Sequence, residues 1–126
     1  MAFQFTIEPG SGPDGPVSIR LSGRMTLGPH LLEFGRRVGS LPLPRGSQAL
    51  LLDMSAVEDL DSAGLGELVI LYTTVGAKGG RLGLVNPSPR IVHLLETTRL
   101  AGILAHFDST AAAAAWLADP AKDGEP

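Results

Sequence analysis

The 126 residues are 44% hydrophobic and 18% charged, which suits one ordinary domain and is too short for two good cores. Ten basic against thirteen acidic residues leave a net charge of −3, which argues against nonspecific nucleic-acid binding, because phosphate contacts need clustered Lys and Arg. The absence of cysteine excludes disulfides, Cys-based zinc sites and a thiol nucleophile; no apolar run approaches the ~20 residues that span a bilayer, and residues 1–10 lack a secretory pattern, so the expected location is cytoplasmic.

Phe3, Phe5 and Ile7 alternate with polar residues and predict a short strand. Val17, Ile19 and Leu21 alternate again beyond the turn-rich segment Pro9 to Pro16, so residues 3–22 read as an antiparallel hairpin with a long connection, ended by Gly23. Pro29 suits a helix start, and Leu31, Leu32, Phe34 and Val38 give a helical face over residues 30–39. Leu41 to Ser47, with two prolines, reads as a loop. Ala49 to Leu52 is an unbroken apolar run leading to Asp53 and Met54, the pattern of a central strand covered on both faces.

A polar loop is expected over Ser55 to Asp61, then a helix from Ser62 to Lys78 stopped by Gly79-Gly80. Leu82, Leu84 and Val85 predict another strand, Ile91, Val92, Leu94 and Leu95 a short helix, and Ile103, Leu104 and Phe107 a last strand. Ser109 is placed to cap an Ala-rich helix ending at Leu117. Residues 1–118 are expected to form the domain, and residues 119–126, without an apolar anchor, a flexible tail. The expected fold is a single α/β domain: a small mixed β-sheet, mostly parallel after the N-terminal hairpin, packed against about four helices.

The chemistry concentrates where the central strand passes through an acidic turn, Glu58-Asp59-Leu60-Asp61, into a helix that starts Ser62-Ala63-Gly64. A helix start presents unpaired backbone N–H groups and the positive end of the macrodipole. Ser62 falls at or near the N-cap, where a serine can serve the helix alone. Phosphorylation there would add roughly −1.5 to −2 charges that the dipole tolerates. The surface beside Glu58, Asp59 and Asp61 would become strongly anionic, so the change would alter binding without unfolding the domain.

The stretches Asp53-Met54-Ser55, Leu60-Asp61-Ser62-Ala63-Gly64-Leu65-Gly66, Lys78-Gly79-Gly80, Leu84-Val85-Asn86-Pro87-Ser88-Pro89 and Thr98-Arg99-Leu100 together resemble the STAS family of sulfate transporter and anti-sigma factor antagonist domains. The likeness covers about residues 17–117. It implies a stand-alone bacterial anti-sigma factor antagonist, not an enzyme and without a cofactor. In such proteins a partner serine kinase, often the anti-sigma factor itself, phosphorylates the motif serine, here Ser62. The unphosphorylated form binds that partner and frees a sigma factor, and a metal-dependent serine/threonine phosphatase resets the switch. The expected docking residues are Asp61, Ala63, Gly64 and Leu65, with Asp59 and Thr26 at the partner surface and Asp53 and Asp59 shaping the turn. The sequence departs from many members by having Arg24 and Thr26 where they carry Glu and Asp.

Gly64-Leu65-Gly66 is no phosphate loop, since no Lys follows. A serine-hydrolase elbow is absent, because Leu60 stands two residues before Ser62. His30, His93 and His106 lie on three separate predicted elements, without metal-ligand spacing. Arg36-Arg37 suit the end of a helix and read as solvated. The predicted helix 62–78 is apolar except for a stripe of Glu67, Thr74 and Lys78, which suits a wedged core helix and also a partner or homodimer face. The alternative function is a non-catalytic scaffold or small-ligand or lipid-binding subunit of a larger assembly.

Overall fold

A computed structural model of the chain describes residues 2–8, 16–40 and 49–117. The predicted connection over residues 9–15, the loop over residues 41–47 and the tail over residues 119–126 lie outside the described residues. The order is β1 (Gln4–Glu8), β2 (Val17–Met25), α1 (Pro29–Gly39), β3 (Ala49–Leu60), α2 (Ser62–Ala77), β4 (Arg81–Val85), α3 (Pro89–Thr97), β5 (Ala105–Phe107) and α4 (Thr110–Leu117). The strands form one sheet in the order β1-β2-β3-β4-β5. β1 and β2 are antiparallel and the remaining pairs parallel, as the hairpin and the strand–helix alternation predict.

Strand alternation decides which side chains go to which layer. Ile19, Leu21, Leu50, Leu52, Leu82 and Leu84 join the main core with Leu31, Phe34, Leu68, Leu71, Ile91 and Leu95 from α1, α2 and α3. Leu51 and Val85 face the other way and meet Ala113 of α4, with Phe107 and Leu117 beside them. The apolar run at residues 49–52 is therefore covered on both faces. Gly83 makes room for α4: a Cβ there would lie 3.0 Å from Leu51 and 3.1 Å from Trp116. Arg81 secures that helix, donating to the carbonyls of Trp116 and Leu117 at 3.3 and 2.9 Å and stacking over the Trp116 ring. Ser109 caps α4 by accepting from the Ala112 N–H at 3.0 Å.

Two expectations are corrected in the centre of the sheet. The segment 55–60 is no loop: β3 continues to Leu60, paired with β2. Opposite it, β2 runs through Gly23 to Met25 instead of stopping at Gly23, which takes a φ of 85°. The register explains why the sequence hid this. Arg20 pairs with Asp53 but Ser22 with Ala56, and Gly23 with Val57 but Arg24 with Asp59. Each step inserts one extra residue into β3, a bulge that turns the following side chains to the other face. Met54, Val57 and Leu60 are buried three apart, and a two-residue period is lost. Asp53 helps form the first irregularity by accepting both the N–H and the hydroxyl of Ser55, at 3.0 and 2.8 Å.

Smaller differences lie at element ends. The last strand starts at Ala105, with Ile103 in the preceding turn. Arg36 and Arg37 are exposed in the last turn of α1, as expected, with Arg36 pairing with Glu33 on the surface and Arg37 lying over the Phe5 ring at 5.2 Å.

Candidate functional site

The ends of β2 and β3 and the start of α2 meet at one edge of the molecule. The Asp61 N–H donates to the Met25 carbonyl at 3.4 Å, extending the strand pairing to the first turn of the helix. Gly64 is pressed against the same Met25 carbonyl, so closely that no Cβ would fit. The absence of a side chain at Gly64 lets the helix begin directly on the end of β2.

Asp61, not Ser62, is the N-cap of α2. Its backbone is extended, and its Oδ1 accepts from the Gly64 N–H at 2.9 Å. Its Oδ2 accepts from the Leu27 N–H at 3.1 Å, tying in the loop between β2 and α1. These hydrogen bonds hold its carboxyl below the ordinary value of 3.8, that from Gly64 most strongly and that from Leu27 next, against a smaller opposing effect of desolvation. A carboxyl with a lowered folded-state pKa stabilises the fold above its unfolded value, and that contribution disappears as pH falls through the folded pKa. The urea midpoint is therefore expected to fall below about pH 4. Asp61→Asn should show a shallower fall over that window; an identical profile for the two proteins would remove Asp61 as a source of acid sensitivity.

With the cap supplied by Asp61, Ser62 is the first helical residue, and it is exposed. No hydrogen bond ties its hydroxyl to the described residues, so the oxygen stands free at the positive end of the helix. Thr26 and Asp59 are partly exposed at the ends of the neighbouring strands. Asp59 accepts from the Leu60 N–H at 2.9 Å and from Arg90 at 3.3 Å, linking the end of β3 to the start of α3. Ala63 is half-buried against the core. Gly64 is buried, and Leu65, 8% exposed, points into the core. The two shape the edge from beneath it.

One residue the sequence did not single out is tied through its backbone to Asp61, the residue before Ser62. Leu27 is 72% exposed, although its N–H is held by Asp61. An exposed leucine leaves no periodicity signal, and its link to Asp61 is a contact spanning 34 residues. The polar stripe on α2 also lies differently from the expectation. Glu67 is half-buried beside Gly35 of α1, and Lys78 reaches the Gly39 carbonyl at 3.2 Å. Ile70 and Tyr72 are exposed instead.

His30, His93 and His106 remain on separate elements, and no group of three or more His, Cys, Asp or Glu side chains capable of holding a metal occurs among the described residues. No described helix is long and apolar enough to cross a membrane. A cavity of about 310 Å³ lies between the end of β3 and α3, with Leu60, Ile91 and Leu94 as its apolar wall and the Asp59–Arg90 pair at its rim.

A family model described as the STAS domain matches residues 12–114. Over 67 residues, 53% of this chain, the sequence is 36% identical to a Thermotoga neapolitana protein named as a homologue of the candidate anti-sigma factor antagonist TM1081. That match spans 59% of the relative, as does a 31% identical match to its Thermotoga maritima counterpart, so the chain spans about three-fifths of the length of these curated relatives. The crystal structure of the Thermotoga maritima candidate antagonist superposes with a TM-score of 0.76 at 24% identity, covering 93% of this chain and 95% of that one. The anti-sigma factor antagonist SpoIIAA in its unphosphorylated form gives a TM-score of 0.64 at 20% identity, covering 88% of this chain and 94% of that one. Phosphorylated SpoIIAA of Bacillus gives 0.62 at 19% identity, covering 86% and 96%. At these identities the superpositions establish a shared fold.

Proposed function

The chain belongs to the STAS domain family, and from that premise we propose that it is an anti-sigma factor antagonist whose binding is switched by phosphorylation of Ser62. The observation that carries this reading is the exposed, unbonded Ser62 hydroxyl at the first position of α2, with the capping role taken by Asp61. A serine that served only as the cap would direct its oxygen to the backbone N–H two or three residues on. Here the Asp61 carboxylate occupies that place, and Ser62 can be modified without loss of the cap.

In this reading the protein catalyses nothing and needs no cofactor. The unphosphorylated edge, formed by Thr26, Asp59, Asp61 and Ser62 and shaped by Ala63, Gly64 and Leu65, binds an anti-sigma factor that is also a serine kinase, and so frees a sigma factor in the cytoplasm. Phosphate on Ser62 adds charge and bulk to that edge and releases the partner. A phosphatase of the metal-dependent serine/threonine class restores binding. Two family relatives named as candidate antagonists and a shared fold with SpoIIAA, which is known in phosphorylated and unphosphorylated forms, support the assignment.

The test is affinity capture of the native protein from its own cells, with intact-mass analysis and phosphopeptide mapping. The expected result is phosphate on Ser62 in one pool and an anti-sigma factor of the kinase class bound to the unphosphorylated pool. A chain without phosphate under several growth conditions, always bound to one assembly, would make Ser62 a plain helix residue and favour the scaffold reading.

A further inference from the structure

Leu27 and Leu32 are the two most exposed large apolar side chains among the described residues, at 72% and 60%. They flank the start of α1, whose N-cap is Gly28. Leu27 precedes that cap and Leu32 is the fourth helical residue, the two positions that pack together as a hydrophobic staple. A staple ordinarily shelters both partners, but here most of each remains in water. Asp61 fixes the Leu27 backbone with one carboxylate oxygen and the start of α2 with the other. The backbone of the exposed leucine is therefore tied to the residue before Ser62.

We infer that Leu27 and Leu32 are the apolar anchor of the Ser62 docking edge and fit an uncharged, apolar socket on the anti-sigma factor. This rests on the proposed function and specifies the chemistry of its partner. The charge around the leucines favours such a socket. Asp61 is met by the Gly64 N–H at the positive end of α2 and by the Leu27 N–H, and Asp59 by Arg90. Exposed Glu58 and Arg24, of opposite charge, lie on the paired ends of β3 and β2. The edge therefore has no strong excess of either sign for a charged partner to match, and affinity comes from burying the leucines. The direction of the switch follows: an apolar socket cannot solvate a phosphate on Ser62, whereas a cationic one would bind the phosphorylated form more tightly.

The experiment is calorimetric titration of the full chain with the anti-sigma factor identified by capture. Leu27→Ser and Leu32→Ser are each expected to weaken binding roughly tenfold or more. Ile103→Ser, at an exposed position on the turn before β5, should stay within about twofold of the unmodified chain. Affinity should change little between about 50 and 500 mM salt, because burial of apolar surface is not screened. Both leucine variants binding like the unmodified chain, or a steep loss of affinity with salt, would overturn the anchor. So would a concentration-dependent dimer of this chain that Leu27→Ser abolishes while partner binding stays intact, since the occupant would then be a second copy. Equal binding by Ser62→Ala and Ser62→Asp, with the leucine variants weakened, would sink the switch and leave the anchor standing. If the unmodified chain binds no anti-sigma factor, both readings fail.

Discussion

Gly64→Ala is expected to cost about 3 kcal/mol of stability and to lower the thermal midpoint by roughly 10 °C. An ideal Cβ at this position would overlap the Met25 carbonyl oxygen and lie 3.2 Å from the Leu60 Cβ. Neither neighbour can swing aside cheaply. Met25 is completely buried, and its carbonyl accepts the Asp61 N–H. The added methyl group must push the start of α2 away from the end of β2, stretching the bonds by which Asp61 holds Gly64 and Leu27. Partner binding should fall together with stability. Gly35→Ala is the control: there the atoms nearest a Cβ are the carboxylate end of Glu67, which can rotate away. Alanine also favours a helix interior, so no loss and a gain of up to about 1 kcal/mol are expected. Thermal and urea unfolding of the two variants decide the matter; equal stability would mean that the strand end and helix start are not in tight backbone contact.

Ser62→Asp is expected to bind the anti-sigma factor at least about tenfold more weakly than Ser62→Ala, a difference of roughly 1.4 kcal/mol or more. Neither change should disturb the fold. Ser62 is exposed, the cap belongs to Asp61, and a negative charge in the first turn suits the helix dipole. Only the surface changes. Aspartate is shorter than phosphoserine and carries about half its charge, so the true switch should exceed this ratio. Titration of both variants, with matched melting curves to show equal folding, is the measurement. Indistinguishable affinities would dismiss Ser62 as the switch even if the chain binds an anti-sigma factor.

Local pattern was enough for much of the fold. Alternation at Phe3, Phe5 and Ile7 and at Val17, Ile19 and Leu21 determined an antiparallel pair, because a half-buried strand repeats every two residues. The run Ala49 to Leu52 determined a strand covered twice, and the Gly79-Gly80 stop determined the end of α2, where Gly79 takes a φ of 79°. Those features are written in neighbouring residues. The family was also legible, since its motif runs contiguously from Leu60 to Gly66.

What only the tertiary structure decided depends on contacts between distant segments. Residues 55–60 form a strand because β2 lies beside them, and two extra residues in the pairing erase the period by which a strand is recognised. Asp61 rather than Ser62 caps α2, because the competition between adjacent side chains is settled by where the end of β2 holds the backbone. Leu27 is tied to the start of α2 because one carboxylate accepts from N–H groups of the β2–α1 loop and of α2 at once. A sequence pattern records which face of an element is apolar; it does not record which distant segments the folded chain will tie together.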